Sequence, residues 1–190
     1  MNCYVLTGGR SRRMGAEKAN IAFAGTTFIE RVIDAASAVF DDVIEVARRH
    51  APARTPETIY EHEHEDEAPI FGVRRALDHA RAKCFIIAVD YPLITSDVLR
   101  MFASRFESSR ASMLVPLHRG IPQVLCAGYS DELLDTIDAR IAARQYDLRT
   151  LARGAETIEY DGAELMNVNT PEELVEAKRW YERQGLLASR

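Results

Sequence analysis

Hydrophobic positions along the chain switch between two periods. Cys3-Tyr-Val-Leu6 is a short apolar run of β-formers closed by Thr7-Gly8-Gly9, which predicts a buried strand entering a glycine turn. Residues 27–40 place Ile29, Val32, Ile33 and Ala36 on one helical face, and Thr27 with Glu30 has the spacing of a capping box. Strands are predicted at 43–47 and 58–60, and a helix over 72–82 with Val73, Ala76, Leu77 and Ala80 on one side. Phe85-Ile-Ile-Ala-Val89 is apolar throughout, as expected of a strand covered on both faces, and it ends at Asp90-Tyr-Pro92. A helix over 96–104 capped by Thr95 follows, then strands at 113–117 and 124–129 and a helix over 131–143. Strands at 157–160 and 166–168 come next, the second from the alternation Met166-Asn-Val-Asn169. Thr170-Pro-Glu-Glu173 opens the last helix, with Thr at the N-cap, Pro at N1 and Glu at N3.

Strands alternate with helices over the first hundred residues, which argues for an α/β fold with a mostly parallel sheet and helices on both faces. Such sheets bind ligands beyond the carboxyl ends of their strands, and the two ends that carry chemistry are Thr7-Gly8-Gly9 and Asp90. With 190 residues, no linker rich in Pro, Gly or Ser and no internal repeat, residues 1–190 are expected to form one domain. At 47% hydrophobic and 28% charged residues the chain is too apolar to be disordered. No apolar run approaches the roughly 18 residues that span a bilayer, so no membrane association is expected. Met1 to Leu6 runs straight into glycines and arginines, unlike a signal peptide, so a cytoplasmic location is expected. The net charge of −5, without a basic tail, argues against general nucleic-acid binding. Cys3, Cys84 and Cys126 form no metal or redox spacing and are expected as small buried hydrophobes.

Four segments carry candidate chemistry. The first is Leu6 to Lys18, LTGGRSRRMGAEK, where Gly8 and Gly9 follow a strand and Arg10, Arg12, Arg13 and Lys18 crowd one loop. Glycines there let backbone N–H groups aim at an anion, and the basic density suits a triphosphate. The chain has three lysines against twenty-one arginines, so a lysine in this loop is informative. The spacing is neither a Walker A loop nor a dinucleotide fingerprint. The second is Asp90, placed at a strand end to hold Mg²⁺ against phosphates, or to cap a turn. The third is Glu61-His-Glu-His-Glu-Asp-Glu67; its bland reading is a solvated loop beside a nucleotide pocket, and His62 with His64 offers a transition-metal pair as the alternative. The fourth is Asn167 and Asn169, whose amides share one face and suit contact with phosphate, water or a metal, or helix capping.

These segments together resemble the molybdenum cofactor guanylyltransferase (MobA) family. Its signature LAGGxSxRMGxDK stands here as LTGGRSRRMGAEK, its GPLxG as Ala68-Pro-Ile-Phe-Gly72, its Asp-x-Pro as Asp90-Tyr-Pro92 and its NxNTPEEL as Asn167 to Leu174. Weaker matches fall at Ile121-Pro-Gln-Val124 and at Asp147-Leu-Arg-Thr-Leu151. The resemblance spans nearly the whole chain in order. It implies a single-domain, Rossmann-like three-layer α/β/α nucleotidyltransferase. The implied reaction moves GMP from Mg²⁺·GTP to the terminal phosphate of molybdopterin cofactor and releases pyrophosphate, with molybdoenzymes or their chaperones as downstream partners. By the same resemblance Leu6, Thr7, Gly8 and Gly9 line the nucleotide, Arg13 and Lys18 hold the phosphates, and Glu61 contacts the base. Asp90 binds Mg²⁺ with help from Asn169. Apart from the resemblance, Gln123, Arg149, Arg153, Asn167 and Asn169 are the candidate contacts for the acceptor.

The chain departs from the family pattern at Thr7, Glu17, Glu61 and Ala68, and it has Val46 where some members carry a base-contacting Asn. These positions bear on the base. The pair Gly8-Gly9 favours guanine, because the cytidylyl relatives usually read LAAG. The alternatives are a nucleotidyltransferase with another base or acceptor (molybdopterin cytidylyltransferase, phospholactate guanylyltransferase or sugar-1-phosphate nucleotidyltransferase) and a nucleotide-binding module without catalysis. A phosphate monoester has a second pKa of about 6 and attacks as a dianion, so the absence of a Ser/His/Asp triad is consistent with the chemistry.

Overall fold

A computed structural model describes residues 1–8, 10, 11, 16–64 and 66–185. In chain order its elements are β1 (Cys3–Leu6), β2 (Arg10–Ser11), β3 (Ala16–Glu17), β4 (Ala22–Phe23), β5 (Thr26–Thr27) and α1 (Phe28–Ser37). Then come β6 (Val43–Ala47), β7 (Thr58–Tyr60), α2 (Pro69–Ala80), β8 (Cys84–Ala88) and α3 (Ser96–Ser108). The last are β9 (Met113–His118), β10 (Ile121–Pro122), β11 (Cys126–Tyr129), α4 (Leu134–Ala142), β12 (Glu156–Glu159) and α5 (Pro171–Arg183).

One sheet runs β10-β9-β11-β8-β1-β6-β7, with β12 added on β9. The pairs β1–β6, β1–β8, β6–β7 and β9–β12 are parallel, and β11 is antiparallel to both β8 and β9. The architecture is therefore the expected α/β domain with a mostly parallel sheet. The crossover β1–α1–β6 and the crossover β7–α2–β8 run in opposite directions along the sheet. Their common right hand places α1 and α2 on opposite faces. Helix α1 packs with α3, and α2 with α4. Strands β1 and β8 are buried at every position, which explains their unbroken apolar composition. The three cysteines are buried and free, as expected.

A second, smaller core joins the two ends of the chain. Phe23, Phe28, Leu93, Val168 and Ala177 are buried together, with Trp180 and Tyr181 against them. The Arg31 guanidinium lies over the Tyr181 ring at 4.6 Å and donates to the carbonyl oxygen of Pro92 at 2.6 Å. This packing ties the β4–β5 hairpin and α5 to the loop after β8, and so brings the segment around Lys18 and the segment around Asn169 to Asp90.

Both predicted capping boxes are present, Thr27 with Glu30 and Thr170 with Glu173, and Thr95 caps α3. Helix α2 begins at Pro69, ahead of the expected 72, because proline is tolerated where the first turn needs no N–H. The span 131–143 divides into a 3₁₀ turn, Asp131–Leu133, and α4. One expected element is corrected: residues 166–168 are not a strand. After the 3₁₀ turn Ala163–Leu165, the Val168 N–H donates to the carbonyl oxygen of Asp90 at 2.8 Å. Asp90 lies in a loop, so this bond has no neighbours in a ladder. The alternation there sorts Val168 into the small core and the asparagines toward Asp90.

Candidate active site

Three parallel strand ends meet at one edge of the sheet. Leu6 is in register with Val46 on one side and Ala88 on the other. Beyond the ladders, the Thr7 N–H donates to Val46 O at 3.1 Å and the Val89 N–H to Leu6 O at 3.3 Å. Thr7-Gly8, Arg48 and Asp90 therefore emerge together, where an open α/β sheet takes its ligands. The glycine turn and the strand-end aspartate share the rim that the sequence reading requires.

On one side of this rim lies a corner built for charge. Lys18 Nζ is 3.1 Å from Asp90 Oδ2 and donates also to Asn169 Oδ1. An ammonium only donates, so it turns the Asn169 carbonyl toward itself, and the amide nitrogen donates to Asn167 Oδ1 at 2.8 Å. The Asn169 N–H donates to Glu173 Oε2, the carboxylate of the α5 capping box, at 2.6 Å. Burial pushes the Asp90 carboxyl above the usual range, and Lys18 opposes that rise. The second oxygen, Oδ1, is buried with no hydrogen-bond partner among the described residues. A buried carboxylate oxygen left unsatisfied is costly unless a ligand meets it. Asp90 Oδ1 is a hard oxygen donor of the kind Mg²⁺ takes together with phosphates and water, and the Asn169 carbonyl, which here accepts from Lys18, is a second such oxygen in the same corner. Among the described residues no group of three or more His, Cys, Asp or Glu is placed to hold a metal.

On the other side lies a cleft of about 470 Å³ lined by Thr7, Gly8, Arg48, Arg54, Glu61 and His64, among others. The Thr7 hydroxyl turns inward and donates to Glu45 Oε1 at 2.8 Å. Glu45 is fully buried in β6 and also accepts from the Arg54 N–H, the Arg54 guanidinium and the Thr58 hydroxyl. Burial pushes its carboxyl up, and these four bonds more than offset it, so the carboxyl sits below its ordinary value. The network fixes the loop after β6, which forms one wall of the cleft.

Glu61 is the buried carboxylate of this cleft. Its Oε1 lies against two glycines: a Cβ added at Gly72 would fall 3.1 Å from Oε1 and 3.2 Å from Leu6 Cδ2, and one at Gly8 would fall 3.0 Å from Arg48 Cγ and 3.3 Å from Oε1. Its Oε2 is 3.1 Å from His64 Nε2. Burial pushes the Glu61 carboxyl up, with His64 and Arg48 opposing.

Leu6, Thr7, Gly8, Lys18, Glu61, Asp90, Asn167 and Asn169 are thus gathered on one rim of the sheet. Gly9, Arg12 and Arg13 lie outside the described residues. Gln123 is buried and spent internally: it accepts from the Tyr91 hydroxyl at 3.1 Å and donates to Ile121 O at 2.9 Å. Arg149 is exposed on the turn Leu148–Gly154 and does not line the cleft. His62 and His64 go to different partners, His62 toward Asp78 at 3.6 Å and His64 onto Glu61 and Phe71. Glu45, Arg48, Arg54 and Tyr91 were not expected at the site. The one signal was a charged residue inside the apolar strand Val43-Ile-Glu-Val-Ala47.

Residues 3–159 match the family described as the MobA-like NTP transferase domain. A protein of Aquifex aeolicus (strain VF5), named "Probable molybdenum cofactor guanylyltransferase", is 32% identical over 90% of this chain and 87% of its own length. Among solved structures, molybdopterin-guanine dinucleotide biosynthesis protein A of Archaeoglobus fulgidus superposes with a TM-score of 0.79 at 24% identity, covering 96% of this chain and 100% of that one. A second, from Aquifex aeolicus VF5, gives a TM-score of 0.73 at 29% identity, covering 89% and 93%. With its strand ends, glycine turn and strand-end aspartate so arranged, this chain belongs to the MobA-like NTP transferase family and is a nucleotidyltransferase.

Proposed function

We propose that this enzyme transfers a guanylyl group from GTP to the terminal phosphate of molybdopterin cofactor. A phosphate oxygen of the acceptor attacks the α-phosphorus of GTP. The bond from that phosphorus to the β-phosphate oxygen breaks, and pyrophosphate leaves with its electron pair. The observation that carries this reading is the shared rim, where the Asp90–Lys18–Asn169 corner and the Glu61 cleft lie at the strand ends beside Thr7 and Gly8. The names of the relatives support the guanine base and the molybdopterin acceptor.

The residues suit this chemistry. Attack brings one polyanion against another, and the barrier is charge repulsion, with no proton to remove. Lys18 provides a compact positive charge beside Asp90, suited to phosphate oxygens. Asp90 and Asn169 would hold Mg²⁺, which when bound neutralises phosphate charge and polarises the reacting phosphorus. Glu61 would accept from the base, and Thr7, tied to Glu45, sets the backbone beneath the ribose.

The test uses GTP and CTP labelled at the α-phosphate, with and without molybdopterin cofactor. Label is expected to pass from GTP into a dinucleotide only when acceptor is present, with one pyrophosphate released per product. Label transfer from CTP in preference would overturn the base assignment, and no transfer from either nucleotide would overturn the acceptor.

A further inference from the structure

The structure ties Glu61 to one neighbour with unusual care. The His64 ring lies flat on Phe71, with centroids 3.7 Å apart and planes 10° apart. Phe71 in turn meets Tyr146, whose hydroxyl donates to Asp66 Oδ2. His64 Nδ1 faces the carbonyl oxygen of Asp66, and Nε2 is 3.1 Å from Glu61 Oε2. A carbonyl oxygen can only accept, so Nδ1 carries a hydrogen. The contact between Nε2 and Oε2 then holds one further proton. That proton lies along the contact whichever atom carries it, so Glu61 offers the cleft only lone pairs. Without His64, a proton on the carboxyl is free to turn to the cleft, and Glu61 then offers one donor and one acceptor.

The two states suit different bases. Guanine presents N1–H and N2–H as adjacent donors, which match a carboxylate. Adenine presents the N6–H donor beside the N1 acceptor, and cytosine the N4–H donor beside N3, and both match a protonated carboxyl. Burial favours the protonated form, and His64 opposes it first, ahead of Arg48, which is itself paired with Glu67 at 2.6 Å. His64 is the neighbour in hydrogen-bonding contact with Glu61 Oε2.

We propose that His64 is the base-selecting positioning residue of this enzyme: it keeps the shared proton on its contact with Glu61 Oε2, holds Glu61 as a double acceptor and so tunes the cleft to guanine over adenine and cytosine. This rests on the nucleotide reading of the cleft given above. His64 itself touches Glu61 and acts on the base through it.

The proposal is tested by equilibrium binding of GTP, ATP and CTP, followed by titration calorimetry. The proteins are the full chain and the variants His64→Phe, His64→Gln and Glu61→Gln. Phe keeps a ring on Phe71 and removes the N–H. Gln at 64 restores an N–H toward Oε2 without the ring. Gln at 61 imitates the protonated carboxyl. The unaltered protein is expected to prefer GTP. His64→Phe should weaken GTP about tenfold with ATP and CTP little changed or tighter, because a polar edge then meets the wrong partner. His64→Gln should recover part of the preference, and Glu61→Gln should lose it as His64→Phe does. Equal weakening of all three nucleotides in His64→Phe would reduce the ring to packing, and an unchanged preference would overturn the proposal. If His64→Phe does not fold, a Glu61→Gln protein that still prefers GTP overturns it. An unaltered protein that binds no nucleotide would sink the reading of the cleft itself, a result distinct from either.

Discussion

The two halves of the site solve opposite problems with buried carboxylates. Asp90 meets a lysine and keeps one oxygen unsatisfied, whereas Glu61 meets a histidine and packs its other oxygen against two glycines. In both, burial pushes the carboxyl up and a neighbouring basic side chain opposes it. On the proposed reading the partners suit different tasks: lysine would supply a permanent point charge for phosphates, and an imidazole can share a proton and so would set the hydrogen-bonding character of a base contact. The phosphate corner is assembled from distant segments, residues 18, 90 and 169. The base corner is assembled within residues 61–72 and closed by Gly8.

Substitutions can break this contrast. The largest expected effect is at Asp90. Asp90→Asn keeps the shape and removes the charge, and pyrophosphate release should fall on the order of 10²–10³-fold, as when a fixed electrostatic contact to a transition state is lost. A rate near that of the unaltered protein would remove Asp90 from the chemistry. Lys18→Ala should slow release on the order of 10²-fold while the thermal midpoint moves little. A fully active Lys18→Ala protein with a lowered midpoint would make Lys18 a folding residue.

Glu45 sharpens the contrast, because it is a carboxylate held for structure. Removing its charge with Glu45→Gln should cost about 1–3 kcal/mol, since buried donors lose a charged acceptor. The pH dependence follows from its lowered value. Its contribution is complete above an unfolded value of about 4.5 and is lost as pH falls through the lower folded value. Denaturant melts of the two proteins should therefore differ at neutral pH and converge in acid, and a gap that persists at low pH would contradict the assignment. The smallest effect is at Gly72. In an exposed helix Gly→Ala stabilises by about 1 kcal/mol, but here the new Cβ meets Glu61 Oε1 at 3.1 Å. Gly72→Ala should weaken GTP binding several-fold with little change in melting temperature, and unchanged affinity would show that Oε1 can move aside at no cost.

Local features were legible where their physics is local. The apolar runs at 3–6 and 85–89 and the capping boxes at Thr27 and Thr170 each depend on neighbours within a few residues, and all are present. The alternation at 166–169 misled because a period of two reports only that two faces differ. Val168 has its burial in the α5 core and one backbone bond to a loop, and no partner strand. The buried role of Glu45 was illegible because its partners come from Thr7, Arg54 and Thr58 across the sheet and a loop. Gln123 resembled a substrate contact, and Tyr91 absorbs it.

The residues alone pointed to an α/β fold, to capping boxes at Thr27 and Thr170 and to an aspartate at a strand end. Hydrophobic period and local hydrogen bonding dictate such features without reference to the rest of the chain. Only the folded structure decided which carboxylate is spent on packing and which faces the rim. Those states follow from burial and from partners: Glu45 is met by residues 7, 54 and 58, Glu61 by His64 three residues on, and Asp90 by Lys18, which strand register and the α5 core bring in from 72 residues away.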